Sequence, residues 1–272
     1  MTRLLGLIGF PLGHSWSKAY FAEKFRREGI RSFAYELFPI QDAGMIGDLI
    51  RDNPQLEGLN VTIPHKEAII PFLDKLSGSA AAIGAVNTIA IDRKQGGVFT
   101  TGYNTDAFGF DRSLDIHQVT GTGKALVLGT GGASRAVVHV LLQRAWSVTL
   151  VSRRPATSEA HKSHGGAMSE GHNKNGTITT LGYEQVSPPV LLNHQLIVNT
   201  TPLGMYPETK NYPALPYQAL TKNHILYDLV YNPEVTEFLS KGAVAGCQVI
   251  GGLDMLKLQA ERSFEIWKNR VP

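Results

Sequence analysis

Short apolar runs closed by glycine or proline alternate with stretches whose apolar positions recur every three or four residues. This rhythm predicts an α/β chain. Leu4 to Ile8 is one such run, ended by Gly9 and Pro11, and reads as a buried strand. Ser15 and Ser17 follow as helix caps, Phe21 and Phe25 share one helix face, and Gly29 closes the stretch. Residues 33–38, 59–63, 85–91 and 98–103 predict further strands, and 68–76 and 79–83 predict helices.

The second half opens on a compact strand, 124–128, which runs into Gly129, Thr130, Gly131 and Gly132. A helix follows from Ala133 through Val137, Val138, Leu141 and Leu142, then a strand over 148–151, so the pattern spells one βαβ unit. Residues 196–198, 225–229 and 248–250 fit later parallel strands, apolar on both faces. Leu256, Ala260, Phe264 and Trp267 mark an amphipathic helix that docks on another domain.

Composition narrows the class. The chain has 272 residues, 43% hydrophobic and 18% charged, which suits one large or two modest globular domains. Twenty-six basic against 23 acidic residues leave a net charge of +3, which favours anionic small molecules, and no basic block marks a nucleic-acid partner. A single cysteine, Cys247, cannot form an internal disulfide, so a cytoplasmic protein with a packed core thiol is expected. The apolar N-terminal run is broken early by Pro11 and Gly13, and no run reaches the length of a membrane span, so no membrane partner is expected. Residues 155–180 are polar and carry His161, His164 and His172 without a cysteine or carboxylate pattern. They read as a solvated surface segment, and no metal is expected.

Glycines between a strand and a helix let the backbone approach a pyrophosphate, and the helix start then presents N–H groups and partial positive charge. A plain tight turn would use the same glycines. Ser134 fills the third glycine position, which implies a looser helix–strand contact. At the end of the next strand, where an acidic residue would hold a ribose hydroxyl, stand Ser152, Arg153 and Arg154. Guanidinium groups attract a 2′-phosphate, so NADP is expected over NAD.

Several polar segments fall at or just after predicted strand ends: 9–17, 60–66, 84–88 and 102–106. Together with 129–135, 199–205 and 255–260 they resemble shikimate dehydrogenase, over nearly the whole chain and in the family's order. The resemblance implies two α/β domains, a substrate-binding and catalytic domain of residues 1–105 plus 249–272 and a Rossmann-like NADP-binding domain of 106–248, with the active site in a cleft between them. It implies reversible reduction of 3-dehydroshikimate to shikimate by NADPH, a step of chorismate and aromatic amino acid biosynthesis. Lys66 and Asp106 match the family's catalytic pair, with Lys66 as proton donor and acceptor. Ser15 and Ser17 match the groups that hold the substrate carboxylate, and Thr62, Asn87, Tyr231 and Gln259 match further substrate positions. Gly129, Thr130, Gly131, Gly132, Ala133, Ser152, Arg153, Arg154, Thr201, Leu203, Met205 and Gly252 match the cofactor side. Two features depart from the family's pattern: Lys18, preceded by Trp16, stands where proline is common, and a second arginine follows Arg153. His14 matches a family position and reads as a structural hydrogen bonder.

A quinate/shikimate dehydrogenase with relaxed cofactor use is the nearest rival, and a ligand-sensing regulator on the same fold is the rival from another class. A sensor needs no proton donor, so retention of Lys66 and Asp106 favours an enzyme. The assembly is expected to be a monomer or a homodimer.

Overall fold

The computed structural model describes residues 2–13, 15–94, 97–153 and 178–269. Arg154, His14 and the three histidines at 161, 164 and 172 lie outside them. Two compact units emerge: one runs to Thr105 and resumes at Ala260, and the other runs from Asp106 to Gln259. The return therefore falls at 259/260 and not at 248/249. The short strand Gln248–Ile250 pairs in the second unit's sheet and keeps that segment there.

The first unit is built from β1 (Arg3–Gly9), α1 (Trp16–Arg27), β2 (Phe33–Pro39), α2 (Ile46–Asp52), β3 (Leu56–Val61), α3 (His65–Ala68), β4 (Lys75–Leu76), α4 (Gly78–Ile83), β5 (Thr88–Lys94) and β6 (Gly97–Tyr103). Its sheet runs β2-β1-β3-β5-β6-β4, parallel through β3 and antiparallel at β5 and β6. Apolar side chains cover both faces. Ile8, Leu59, Val61, Ile83 and Ile89 are all but fully buried, and Leu5, Phe21, Phe25, Phe33 and Tyr35 gather with Ala260, Phe264 and Trp267 from the chain's end.

Local chemistry moved several boundaries. Residues 68–76 do not form one helix: Pro71 interrupts it, and Lys75 and Leu76 instead pair with Thr101 and Gly102. The strand expected at 59–63 starts earlier and ends before Ile63, which precedes a proline and is exposed. The strand expected at 85–91 begins at Thr88. Gly84 ends α4 in the left-handed region, and the Val86 and Asn87 N–H groups donate to Lys66 O and Tyr103 O.

The second unit comprises α5 (Asp106–Ile116), β7 (Lys124–Leu128), α6 (Gly132–Gln143), β8 (Ser147–Ser152), β9 (Ile178–Gly182), α7 (Pro188–Leu192), β10 (Leu196–Asn199), β11 (Ile225–Asp228), α8 (Glu237–Val244) and β12 (Gln248–Ile250). Helix α9 (Leu253–Lys268) begins there and ends in the first unit. The second sheet runs β12-β11-β10-β7-β8-β9 with every neighbouring pair parallel. Counted from β7, this is the order 6-5-4-1-2-3, the doubly wound arrangement whose switch point lies between β7 and β10. Its core of Leu126, Leu128, Val151, Ile197, Leu226 and Phe238 is its own. Residues 178–180, expected at the end of a solvated segment, begin edge strand β9. Among the described residues no helix is long and apolar enough to cross a membrane.

Candidate active site

At the switch point β7 ends and the backbone turns at Gly129, whose φ of +108° is costly for a residue with a Cβ. A Cβ there would also meet Thr200 Oγ1 at 2.7 Å, so the loop after β10 lies against this turn. Gly131 differs: a Cβ added to it meets nothing within 4 Å, so internal packing does not demand glycine there. Gly131 caps α6 without a side-chain hydrogen bond, and the first turn carries no acidic residue. The first intrahelical bond runs from Arg135 N to Gly131 O, so the N–H groups of Gly132, Ala133 and Ser134 face out of the helix start. This cradle fits a dinucleotide pyrophosphate. Ser134 does not loosen the motif: it is buried, and its hydroxyl donates to Gly129 O at 2.8 Å, which ties helix to turn.

Ser152 ends β8 half-buried, and Arg153 follows it, exposed. The Arg153 charge reaches Tyr183, where it opposes the rise that burial imposes on the phenol pKa. Thr130 is exposed, while Thr201 and Leu203 are half-buried and Met205 is exposed. The loop that carries these three is pinned by Asn199. Its Oδ1 accepts from Thr201 N at 3.1 Å and Thr201 Oγ1 at 2.6 Å, and its Nδ2 donates to Asp228 Oδ1 at 3.0 Å. Asp228 is fully buried and also accepts from Val230 N and Thr236 Oγ1. Burial pushes its carboxyl up to about 6 against the pull of these donors. Neither Asn199 nor Asp228 is among the site residues expected from the sequence. Their signal is an amide and a carboxylate ending adjacent parallel strands.

Gly252 is buried with its backbone against the Leu229 carbonyl, a contact that leaves no room for a Cβ. Close chain packing by itself therefore accounts for glycine there. Tyr231 is half-buried, and burial raises its phenol pKa. Gln259 is buried on α9, with Nε2 donating to Leu256 O at 3.0 Å. Asp106 is buried at the first position of α5.

In the first unit Ser15 caps α1, and its hydroxyl accepts from Lys18 N at 3.4 Å. Ser17 hydrogen-bonds to the Tyr35 phenol, whose pKa burial drives up and this bond pulls down. Lys18 is paired with Glu36 at 2.6 Å, and Trp16 stacks on Tyr20. Thr62 is half-buried, with its N–H donating to Ile8 O at 2.9 Å. Lys66 is half-buried in the single turn α3. His65 beside it is buried and donates from Nε2 to Ile40 O at 2.7 Å, which fixes the turn. Asn87 is buried and meets Thr105: Thr105 N donates to Asn87 Oδ1 at 2.6 Å, and Asn87 Nδ2 donates to Thr105 Oγ1 at 2.9 Å. Among the described residues no group of three or more His, Cys, Asp or Glu is placed to hold a metal ion.

The sheet order, the glycine cradle and the basic strand end define a two-domain α/β protein with a Rossmann-like dinucleotide domain. Comparisons refine that class. The shikimate dehydrogenase substrate binding domain matches residues 7–89. The NADP(+) shikimate dehydrogenase of Carboxydothermus hydrogenoformans is 38% identical over 276 residues, covering 100% of this chain and 93% of its own. The Thermus thermophilus enzyme, solved with NADP(H) and shikimate, superposes with a TM-score of 0.81 at 31% identity, covering 100% of this chain and 95% of its own. The Listeria monocytogenes enzyme, solved with shikimate and NAD, gives 0.85 at 27% identity over 99% and 92%. The chain belongs to the shikimate dehydrogenase family.

Proposed function

We propose that this protein is an NADP-dependent shikimate dehydrogenase that reversibly reduces 3-dehydroshikimate to shikimate in aromatic amino acid biosynthesis. The observation that carries the proposal is full-length kinship with NADP(+) shikimate dehydrogenases, in a chain that retains Lys66 and Asp106.

Gly129 to Ala133, with the N–H groups of α6, hold the pyrophosphate. Ser152, Arg153 and Arg154 would hold the 2′-phosphate. Thr201, Leu203, Met205 and Gly252 would line the nicotinamide. Bound NADPH supplies the hydride to the substrate carbonyl carbon. Lys66 Nζ holds the proton that the carbonyl oxygen takes up, and receives it back in the oxidative direction. Asp106, the other member of the proposed catalytic pair, would accept a hydrogen bond from a ring hydroxyl. Ser15 and Ser17 hold the carboxylate at the start of α1, where the helix dipole favours an anion. Thr62, Asn87, Tyr231 and Gln259 supply the neutral donors and acceptors that a polyol ring requires. A cytoplasmic location, and a monomer or homodimer, complete the proposal.

Steady-state kinetics with shikimate and quinate, each against NADP and NAD, test it by following NADPH absorbance. The shikimate–NADP pair should give the highest kcat/KM. No turnover of shikimate with either cofactor would sink the proposal, and a preference for quinate or NAD would move the chain to the relaxed class.

A further inference from the structure

Beside Asn87 lies a buried group of hydroxyls. Ser263, on the C-terminal part of α9, is fully buried, and its Oγ stands 2.8 Å from Thr88 Oγ1 and 3.1 Å from Thr105 Oγ1. Thr88 and Thr105 are 3.2 Å apart, so the three hydroxyls form a triangle. Two amides border it. Asn60 Nδ2 donates to Ser263 Oγ at 3.0 Å and to the Asn87 carbonyl at 3.2 Å, while Tyr35 donates to Asn60 Oδ1 at 2.8 Å.

Proton counting fixes the directions of the two amides. The Asn87 carbonyl only accepts, so Asn60 must present its NH₂ to it and to Ser263. Ser263 then accepts from Asn60, and in its contacts with Thr88 and Thr105 either hydroxyl can donate. Thr105 N only donates, so Asn87 must turn Oδ1 toward it and Nδ2 toward Thr105 Oγ1. The orientation of the Asn87 amide is thus set in a buried network where each lost partner leaves another group unsatisfied.

We propose that Ser263 is a positioning residue for substrate binding: through Thr88 and Thr105 it fixes the carboxamide of Asn87. The inference rests on Asn87 contacting substrate. A helix whose last turns close the first unit's core thereby also sets a group at the substrate side.

The test is a double-mutant cycle in the full-length enzyme with NADP, using Ser263→Ala, Asn87→Ala and both together. Ser263→Ala should raise the shikimate KM by about five- to thirtyfold, the loss expected for one partner of a buried hydrogen bond. It should leave the NADP KM unchanged and add little once Asn87 is already alanine. Equal fold-effects in both backgrounds, an unchanged shikimate KM, or parallel rises in both KM values would overturn the proposal. An Asn87→Ala enzyme with an unchanged shikimate KM would reject the role of Asn87 itself, and the inference with it. Should Ser263→Ala fail to fold, Thr88→Val removes a hydroxyl at constant shape. It should reproduce the effect, and Thr88→Ser should restore the wild-type KM; failure of that rescue counts against the proposal.

Discussion

Lys66 and Arg153 are the two proposed site residues whose roles single substitutions separate most directly. Lys66 projects from a turn held at both sides, by His65 to Ile40 O and by its own carbonyl to Val86 N. Removing its amine should leave that frame intact. Lys66→Ala is expected to lower kcat by a factor on the order of 10²–10⁴, the range for a positioned acid–base group, with a smaller change in the shikimate KM. Wild-type turnover in that variant would strip Lys66 of its role. Arg153 is exposed at the end of β8 with its charge available to an anion. Arg153→Ala should raise the NADP KM by roughly five- to fiftyfold and leave the NAD KM nearly unchanged, as the proposed pairing of its guanidinium with the 2′-phosphate requires. Equal losses with both cofactors would assign Arg153 a structural part instead.

Between elements, the ends of β10 and β11 are joined by one buried carboxylate. Asp228 receives Asn199, Val230 and Thr236, and through Asn199 it fixes Thr201. Its pKa is pushed up to about 6 from 3.8 by burial, the opposite of a salt-bridged carboxylate. The folded chain holds this proton over a range where the unfolded chain has released it. Stability therefore falls as pH rises from about 4 to about 6, by an amount on the order of 3 kcal/mol, and levels off above. Asp228→Asn cannot ionise and can donate from its amide to the Thr236 hydroxyl. In urea melts across that window the variant should lack this component, so its stability should gain on the wild type as pH rises. A constant difference between the two would show that Asp228 does not titrate there. The glycine turn was legible in the sequence because its signals are contiguous: an apolar run, glycines, then helical spacing. The hydroxyl group at 88, 105 and 263 was not, because its members come from β5, the chain before α5 and the far end of α9. Helix α5 carries a readable signal of its own, since Ala107, Phe110 and Leu114 keep helical spacing behind an acidic first residue. Strand β9 was hidden behind a polar stretch. The return point was misplaced because a three-residue strand, β12, leaves little periodicity to read.

At the scale of the molecule, each unit has a core drawn from its own residues, the mark of a domain able to open by itself. The first unit's core is completed only by the last part of the chain. Trp267 is almost fully buried beside Phe21 and Tyr35, its indole lies against Gly58, and its Nε1 donates to Ile89 O at 2.9 Å. Trp267→Ala removes that ring and its hydrogen bond to Ile89 O. The cost should be about 3–5 kcal/mol, as for other large aromatic deletions, and it should fall on one unit. Native-state hydrogen exchange is expected to show β1, β3 and β5 losing protection by that amount while β7, β10 and β11 keep theirs. Trp267→Phe, which retains an aromatic ring, should cost less. An equal loss in both sheets would mean that the units open as one, and the division at Thr105 and Ala260 would then describe the chain's geometry without describing its cooperativity.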